Sequence, residues 1–169
     1  LDSIVRFEGE ITLLELLENL EQSEVWAQIP GLAFRRGTEI ITSEIRPLIK
    51  EIDSLPLLKR DEPESMAGGI KGAAMLSSRG CLFNCSFCSI RQFYGSSKGL
   101  LRRTRSPASV VNEMVALYNE KNIKYYSFQD DDFAARSPSQ RQWLLDFLKE
   151  LKSADLHNKI AWKVSCRVD

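Results

Sequence analysis

Residues 73–88 read AAMLSSRGCLFNCSFC, a short apolar run followed by three cysteines in a C-x3-C-x2-C pattern. The run at 73–77 is the first of three predicted strands, and the others lie at 124–129 (KYYSFQ) and 160–167 (IAWKVSCR). A helix is predicted after each of the first two strands, because Ser106-Pro107 and Ser137-Pro138 both place proline directly after an N-cap serine. Strands that alternate with helices pair in parallel through right-handed crossovers. The sequence therefore indicates an α/β fold.

Three such strands are too few to close a barrel. A barrel of eight βα units needs about 250 residues, whereas this chain has 169. We therefore interpret the chain as part of a larger protein, with residues 71–169 forming the first three βα units of a truncated, TIM-like barrel. Uncovered strand edges promote association, so we expect the isolated chain to associate and to be poorly active.

Residues 1–50 predict a small α/β segment with a hairpin. A strand is indicated at 3–7, and Thr12 with Glu15 matches a capping box at the start of a helix. One apolar face of that helix is expected to be buried, and it consists of Leu13, Leu16, Leu17 and Leu20. Two β-prone runs around Arg36-Gly37 predict the hairpin.

The segment at 51–70 is predicted to be an extended linker between these two parts. It combines mixed charges with residues that interrupt regular elements, namely Pro56, Pro63, Gly68 and Gly69. The sequence thus divides into an N-terminal segment at 1–50, a linker at 51–70 and a barrel portion at 71–169.

The composition argues against several classes of protein. Lysine and arginine number 23, and so do aspartate and glutamate, so the formal net charge is zero. A neutral chain is poorly suited to coating nucleic acid or an anionic membrane. No apolar run reaches the roughly 18–20 residues that cross a bilayer, and four cysteines are too few for a disulfide scaffold. We expect a protein of the reducing cytoplasm without a membrane partner.

The three clustered cysteines predict a metal site. Three thiols within eight residues cannot all pair with one another, and iron–sulfur clusters are held by cysteine thiolates, usually four. Three ligands from one loop would leave one iron open, as in catalytic metal sites. Structural zinc is the alternative, and it would need Cys166 or His157 as its fourth ligand. We favour the cluster, because His157 is expected in a solvated loop and Cys166 as a small buried thiol.

The C-x3-C-x2-C pattern after a first barrel strand, with Phe87 before the last cysteine, resembles the signature of the radical S-adenosylmethionine enzymes. The resemblance implies that Cys81, Cys85 and Cys88 hold a 4Fe–4S cluster. It also implies that the amino and carboxylate groups of S-adenosylmethionine chelate the open iron. Phe87 would shield the cluster or adjoin the adenine, although an ordinary apolar side chain would pack beneath the loop.

Residues 128–133, FQDDDF, resemble the F-x-D-D-x-F segment of the cobalamin-associated branch of that family. This resemblance implies that Gln129, Asp130 and Asp131 lie near the methionine amino group. The C-terminal ends of parallel strands also bind ligands in α/β folds, and an ammonium group would suit these acids. Side chains alternate along a strand, so only some of the three consecutive aspartates can face the cofactor.

Two further residues are predicted to contact the cofactor. Ser165 and Arg167 alternate with Cys166 in the third predicted strand, and we expect one of them to face S-adenosylmethionine. Trp143 and Trp162 are expected in the core.

Residues 1–50 are similar to the end of a cobalamin-binding-like domain. The D-x-H-x-x-G segment that ligates cobalt in that domain is absent from this sequence, so cobalamin is a possible cofactor that this chain does not itself support. Phe7 stands where the family suggests glycine, so we expect a distorted strand-to-helix turn.

The segment from 79 to 105 has no carboxylate. Its cationic side chains are Arg79, Arg91, Lys98, Arg102, Arg103 and Arg105. A positive field there would lower thiol pKa values and attract a substrate or an electron donor. The alternative is a solvated loop balanced by acids elsewhere, which we favour for any single arginine.

The sequence predicts part of a radical S-adenosylmethionine enzyme. By resemblance, a reduced cluster would cleave S-adenosylmethionine to a 5′-deoxyadenosyl radical that abstracts hydrogen from an unknown, small-molecule substrate. Relatives methylate, cyclise or insert sulfur, and a flavodoxin or ferredoxin would supply electrons. The alternative is a non-enzymatic iron–sulfur or zinc module whose basic loop contacts RNA.

Overall fold

The computed structural model describes residues 2–61, 64–65, 70–133 and 137–167. The chain divides into two compact units. The first contains residues 1–50 and 83–101, and the second contains residues 51–82 and 102–169. The first boundary, after Lys50, coincides with the predicted end of the N-terminal segment, but the sequence did not predict that residues 83–101 belong with that segment.

The first unit is a three-stranded antiparallel sheet with two helices. Its elements are β1 (Ser3–Val5), α1 (Glu10–Glu18), β2 (Leu32–Arg36), β3 (Glu39–Thr42) and α2 (Ile90–Gly95). The strand order is β1-β2-β3. The predicted hairpin is confirmed as β2 and β3, and Gly37 occupies its turn with φ 63°. The core contains Leu16, Ile29, Leu32 and Phe34.

The predicted start of α1 was wrong. The helix begins at Glu10 with Gly9 as its N-cap, so Thr12 lies inside the helix and is fully buried. The Thr12 hydroxyl donates to Pro30 O at 2.8 Å and accepts from Arg46 Nε at 2.9 Å. These contacts with distant residues of the unit, rather than a capping role, explain why Thr12 is buried.

The predicted apolar face of α1 is mostly exposed. Leu16 is buried, but Leu13, Leu17 and Leu20 are 48%, 58% and 52% exposed. The buried positions are Thr12 and Leu16. They are four residues apart and therefore share one narrow stripe of the helix, so the leucines beside that stripe stay outside the core of this unit.

The turn between β1 and α1 is distorted as expected. Phe7 has φ 61°, in the left-handed region that glycine adopts readily. Its ring lies 5.3 Å from the ring of Phe93, centroid to centroid. The aromatic contact offsets a backbone conformation that costs a non-glycine residue on the order of 1 kcal/mol.

The second unit is built on a four-stranded mixed sheet. Its strands are β4 (Glu64–Ser65), β5 (Lys71–Met75), β6 (Ser78–Arg79), β7 (Arg103–Thr104), β8 (Tyr125–Phe128) and β9 (Ala161–Lys163), and its helices are α3 (Pro107–Lys121) and α4 (Pro138–Ser153). β5 pairs in parallel with β8, and β8 pairs in parallel with β9. The predicted strand–helix–strand–helix–strand order is therefore confirmed.

Both predicted helix starts of this unit are confirmed. The Ser106 side chain accepts from the amide of Ser109, and Ser137 forms a capping box with Gln140. Trp143 and Trp162 pack against the core as predicted. The core between the sheet and the two helices is formed by residues such as Met75, Val110, Met114, Tyr126, Phe128 and Phe147.

The segment at 51–70 was predicted as an extended linker, but it contains a turn and a short strand. Ile52–Ser54 forms a 3-10 turn, and β4 pairs antiparallel with β5. The edge of β5 offers unpaired backbone groups to any nearby extended chain, which explains a strand without a sequence signal. Pro56 lies in the described part of the segment, whereas Pro63, Gly68 and Gly69 fall outside the described residues.

A buried ionic cluster joins α3 to the end of β5. Glu113 is 4% exposed, and its two carboxylate oxygens contact Arg60 Nη1 at 2.7 Å and Arg105 Nη1 at 2.6 Å. Arg60 also donates to Ala74 O, and Arg105 donates to Leu76 O. The cluster therefore secures the strand that leads to the cysteine motif.

Within the part of the chain that the structure describes, no helix combines the length and the apolar character needed to span a membrane.

Candidate functional site

The end of β8 is hydrogen-bonded to the segment that follows β5. Asp130 is 5% exposed, and its Oδ1 accepts from the hydroxyls of Ser77 at 2.6 Å and Ser78 at 2.5 Å. Its Oδ2 accepts from the backbone N–H of Ser77 at 3.1 Å. Both carboxylate oxygens are thus engaged by residues just before Cys81.

Asp131 follows Asp130 beyond the end of β8 and binds the same segment before Cys81. Its carboxylate accepts from Gly80 N–H at 2.8 Å, and the residue remains exposed. Partial removal of water around the carboxylate raises the pKa of Asp131, and the charge of Asp130 acts in the same direction. The Gly80 hydrogen bond and the positive charge of Arg102 oppose this rise. Asp131 is therefore an accessible acid in an environment that disfavours its negative charge.

Asp131→Asn is expected to raise the free energy of unfolding at neutral pH. The asparagine oxygen can still accept from Gly80, and the disfavoured charge is removed. Because the pKa of Asp131 is raised above 3.8 in the folded state, folding favours the protonated acid, so the wild type gains stability as the pH falls. The advantage of the variant should shrink as the pH approaches 3.8, as urea titrations across this range would measure. A gap that widens in acid would contradict the assignment.

Gln129 and Asp132 flank these two acids. Gln129 is exposed, and its Nε2 donates to Ser127 Oγ at 2.8 Å. Asp132 is 6% exposed, and its carbonyl accepts from Arg102. Of the four polar residues in the segment, Gln129 and Asp131 are the accessible ones.

The three clustered cysteines are reduced and partly accessible. None forms a disulfide; Cys81 and Cys85 are half-buried, and Cys88 is exposed. A backbone hydrogen bond from Cys88 N to Cys85 O, 3.1 Å long, closes a turn between the last two cysteines. Phe87 is 91% exposed, so it does not pack beneath the loop. Cysteine thiolates are the ligands that an iron–sulfur cluster takes.

The loop is not gathered into a metal-binding arrangement. Among the described residues, no three side chains of His, Cys, Asp or Glu lie close enough together to hold a metal ion. Ligands of metal sites are commonly drawn together by the metal itself.

The prediction for Cys166 was wrong, because this thiol is exposed. β9 ends at Lys163, so the alternation expected for a strand at 160–167 stops before Cys166. Ser165 and Arg167 are also exposed, and the Ser165 carbonyl accepts from Phe133 N at 2.9 Å. His157 is exposed beside Asn158, in agreement with the solvated loop expected for it.

The cationic segment is only partly a surface feature. Arg103 and Arg105 are 4% and 9% exposed, and Arg105 is engaged with Glu113. Arg105 is thus balanced by an acid elsewhere in the chain, as expected, but it is buried rather than part of a solvated loop. Ser77 and Ser78 were not predicted as site residues, although two hydroxyls between a strand and a glycine are a signal for hydrogen bonding to a neighbouring acid.

No family model matches the sequence. The chain is 31% identical to an uncharacterized methyltransferase of Pyrococcus horikoshii over 172 aligned residues, covering 100% of this chain and 35% of the relative. It is 30% identical to the anaerobic magnesium-protoporphyrin IX monomethyl ester cyclase of Cereibacter sphaeroides, covering 99% of this chain and 27% of the cyclase. The chain thus spans about a third of the length of these relatives.

Two solved structures share the fold. The radical S-adenosylmethionine methyltransferase TsrM of Kitasatospora setae, with tryptophan substrate and a S-adenosylmethionine analogue bound, matches with TM-score 0.70 and 21% identity over 98% of this chain and 32% of TsrM. The cobalamin-dependent S-adenosylmethionine radical enzyme OxsB matches with TM-score 0.67 and 18% identity over 98% of this chain and 23% of OxsB. Over nearly its whole length the chain is therefore similar to a methyltransferase and a cyclase, and it shares the fold of the corresponding part of these two radical S-adenosylmethionine enzymes. The α/β fold expected from the sequence is confirmed.

Proposed function

We propose that this chain is the cluster-binding part of a radical S-adenosylmethionine enzyme, in which Cys81, Cys85 and Cys88 hold a 4Fe–4S cluster. The observation that carries the proposal is the position of three cysteines that form no disulfide, spaced C-x3-C-x2-C, after the first parallel strand β5 and the short strand β6 of a fold shared with radical S-adenosylmethionine enzymes. When bound and reduced, such a cluster supplies the electron that cleaves S-adenosylmethionine to a 5′-deoxyadenosyl radical.

Four residues are proposed to bind S-adenosylmethionine around this loop. Asp131 offers an accessible carboxylate to the ammonium group, with Gln129 beside it. Ser165 and Arg167, exposed beyond the end of β9, offer a hydroxyl and a cation for the carboxylate of the methionine part.

Phe87 is proposed to cover the cluster or the adenine. A side chain that is 91% exposed gains most when a ligand removes it from water, because burial of apolar surface is favourable.

The reaction of the whole protein is proposed from its relatives. Methyl transfer or cyclisation of a small molecule fits the methyltransferase and cyclase that the chain resembles. Cobalamin is a further cofactor of the whole protein in this proposal, since OxsB is cobalamin-dependent, although the sequence of this chain lacks the cobalt-ligating motif. We propose a cytoplasmic protein reduced by a flavodoxin or ferredoxin.

Anaerobic reconstitution of the chain with iron and sulfide tests the proposal. We expect about four irons and four sulfides per chain, and a spectrum of the reduced cluster that changes when S-adenosylmethionine is added. The matched control is the chain with Cys81, Cys85 and Cys88 all replaced by alanine, which should bind neither.

One tightly bound zinc without iron would contradict the enzyme and favour the structural module. An RNA-contacting loop has less support, since Arg103 and Arg105 are buried.

A further inference from the structure

We propose that Asp130 is a positioning residue that sets the place of Cys81 through the backbone of residues 77–80, and that it does so by hydrogen bonding rather than by its charge. The inference rests on the proposed function, because Cys81 is there the first cluster ligand. It assigns Asp130 a role different from the cofactor contact that the resemblance implies.

The Asp130 carboxylate is held by two neighbouring serines. It accepts three hydrogen bonds, from Ser77 N, Ser77 Oγ and Ser78 Oγ, at 3.1, 2.6 and 2.5 Å. All three donors belong to two consecutive residues that lie more than fifty positions earlier in the chain. Because Asp130 is 5% exposed, water is a poor substitute for these donors.

Residues 77–79 are also held by backbone hydrogen bonds to residues 103–105. Ser78 and Arg79 pair with Thr104 and Arg103 in the two-stranded β6–β7 ladder. Ser77 O accepts from Arg105 N at 2.8 Å. The segment therefore has backbone pairing on one side and the Asp130 carboxylate on the other, which fixes its path.

The segment that Asp130 holds ends directly before Cys81 in the chain. Gly80, with φ 82°, donates its N–H to Asp131 at 2.8 Å. Gly80 is the residue before Cys81, so the last fixed point lies one residue from the proposed ligand. Groups that orient a metal ligand without touching the metal commonly change metal affinity about 10- to 100-fold when lost.

The hydrogen bonding of Asp130 can be separated from its charge by an amide side chain. An asparagine at position 130 can turn its oxygen to Ser77 N–H and its NH2 group to the two serine hydroxyls, which accept as well as donate. Asp130→Asn thus retains the three partners without the charge. Asp130→Ala removes both.

The experiment compares the two variants with the wild-type chain and with Tyr126→Phe. Tyr126 lies in β8, the strand that precedes Asp130, and is fully buried. Its hydroxyl lies 2.9 Å from both Met114 O and Ile123 O, so its variant loses stability without touching residues 77–81. We expect Asp130→Ala to retain roughly tenfold less cluster after gel filtration, whereas Asp130→Asn and Tyr126→Phe retain the wild-type amount. Asp130→Asn should also keep the spectral response to S-adenosylmethionine.

A second readout needs no cluster. The alkylation rate of Cys81 in the iron-free chain, measured by peptide mass spectrometry, should change several-fold in Asp130→Ala and stay unchanged in Asp130→Asn and Tyr126→Phe. If the wild-type chain binds no iron, the proposed function fails while this readout still tests the positioning.

Two results would overturn the inference. Equal cluster loss in Asp130→Ala and Tyr126→Phe would show a general effect of stability. Full cluster in Asp130→Asn with no response to S-adenosylmethionine would show that the charge contacts the cofactor.

Discussion

Cys85→Ala is expected to leave the reconstituted chain with almost no iron, whereas Cys166→Ala keeps the full complement. In the proposed site Cys85 is one of three ligands, and its loss leaves two thiolates, too few to retain a cluster that usually has four. Cys166 lies 78 positions after Cys88, is exposed and follows the end of β9. The two variants therefore differ in the ligand set and not in the number of cysteines removed.

Iron and acid-labile sulfide per chain, together with the visible absorption of the cluster, measure the outcome after identical anaerobic treatment. Circular dichroism shows whether each variant is folded before reconstitution. Equal loss of iron in both variants would refute the assignment of three ligands, and it would make Cys166 a fourth.

Glu113→Ala should cost about 3–5 kcal/mol of unfolding free energy. The side chain is 4% exposed and contacts two arginines, Arg60 and Arg105, within 2.7 Å. Without it, both arginines lose their buried carboxylate partner, although Arg105 keeps the Ser109 hydroxyl and the partly exposed Asp53 carboxylate, 3.8 Å away. The cost comes mainly from the charges left behind, because removing one partner of a buried ion pair is far more damaging than replacing the whole group.

Urea denaturation followed by tryptophan fluorescence measures this cost. The matched control is Glu120→Ala, an exposed acid on the same helix, which should change the free energy by less than about 0.5 kcal/mol. A loss below about 1 kcal/mol in Glu113→Ala would mean that water or other acids compensate the arginines, contrary to the burial described.

The sequence predicted the elements whose signals are local. Ser106 and Ser137 start helices because a serine oxygen caps the first turn and the following proline needs no hydrogen-bond partner, and neither effect depends on the rest of the chain. Asp130 and Asp132 are buried and Asp131 is exposed, although all three lie beyond the end of β8. Thr12 carried the same kind of local signal, but Arg46 and Pro30, distant in sequence, decided its role.

The remainder of the site depends on contacts between distant segments. The β6–β7 ladder joins two-residue strands about 25 positions apart, too short to leave a periodic pattern. The exposure of Cys166 depends on where β9 stops pairing with β8. No residue near Cys166 marks that end of the strand in the sequence. Ser77 and Ser78 are ordinary residues of a strand end until Asp130 lies beside them.

The division into two units limits how this protein can be shortened. Residues 83–101, which carry Cys85 and Cys88, belong with residues 1–50. Leu48 N donates to Lys98 O, and Phe7 packs against Phe93. The composition of the linker suggests Glu51 as the first residue of a shortened version. Such a version would lack the residues that contact the segment carrying Cys85 and Cys88. The N-terminal fifty residues are thus a folding partner of the motif, and truncation studies need to retain them.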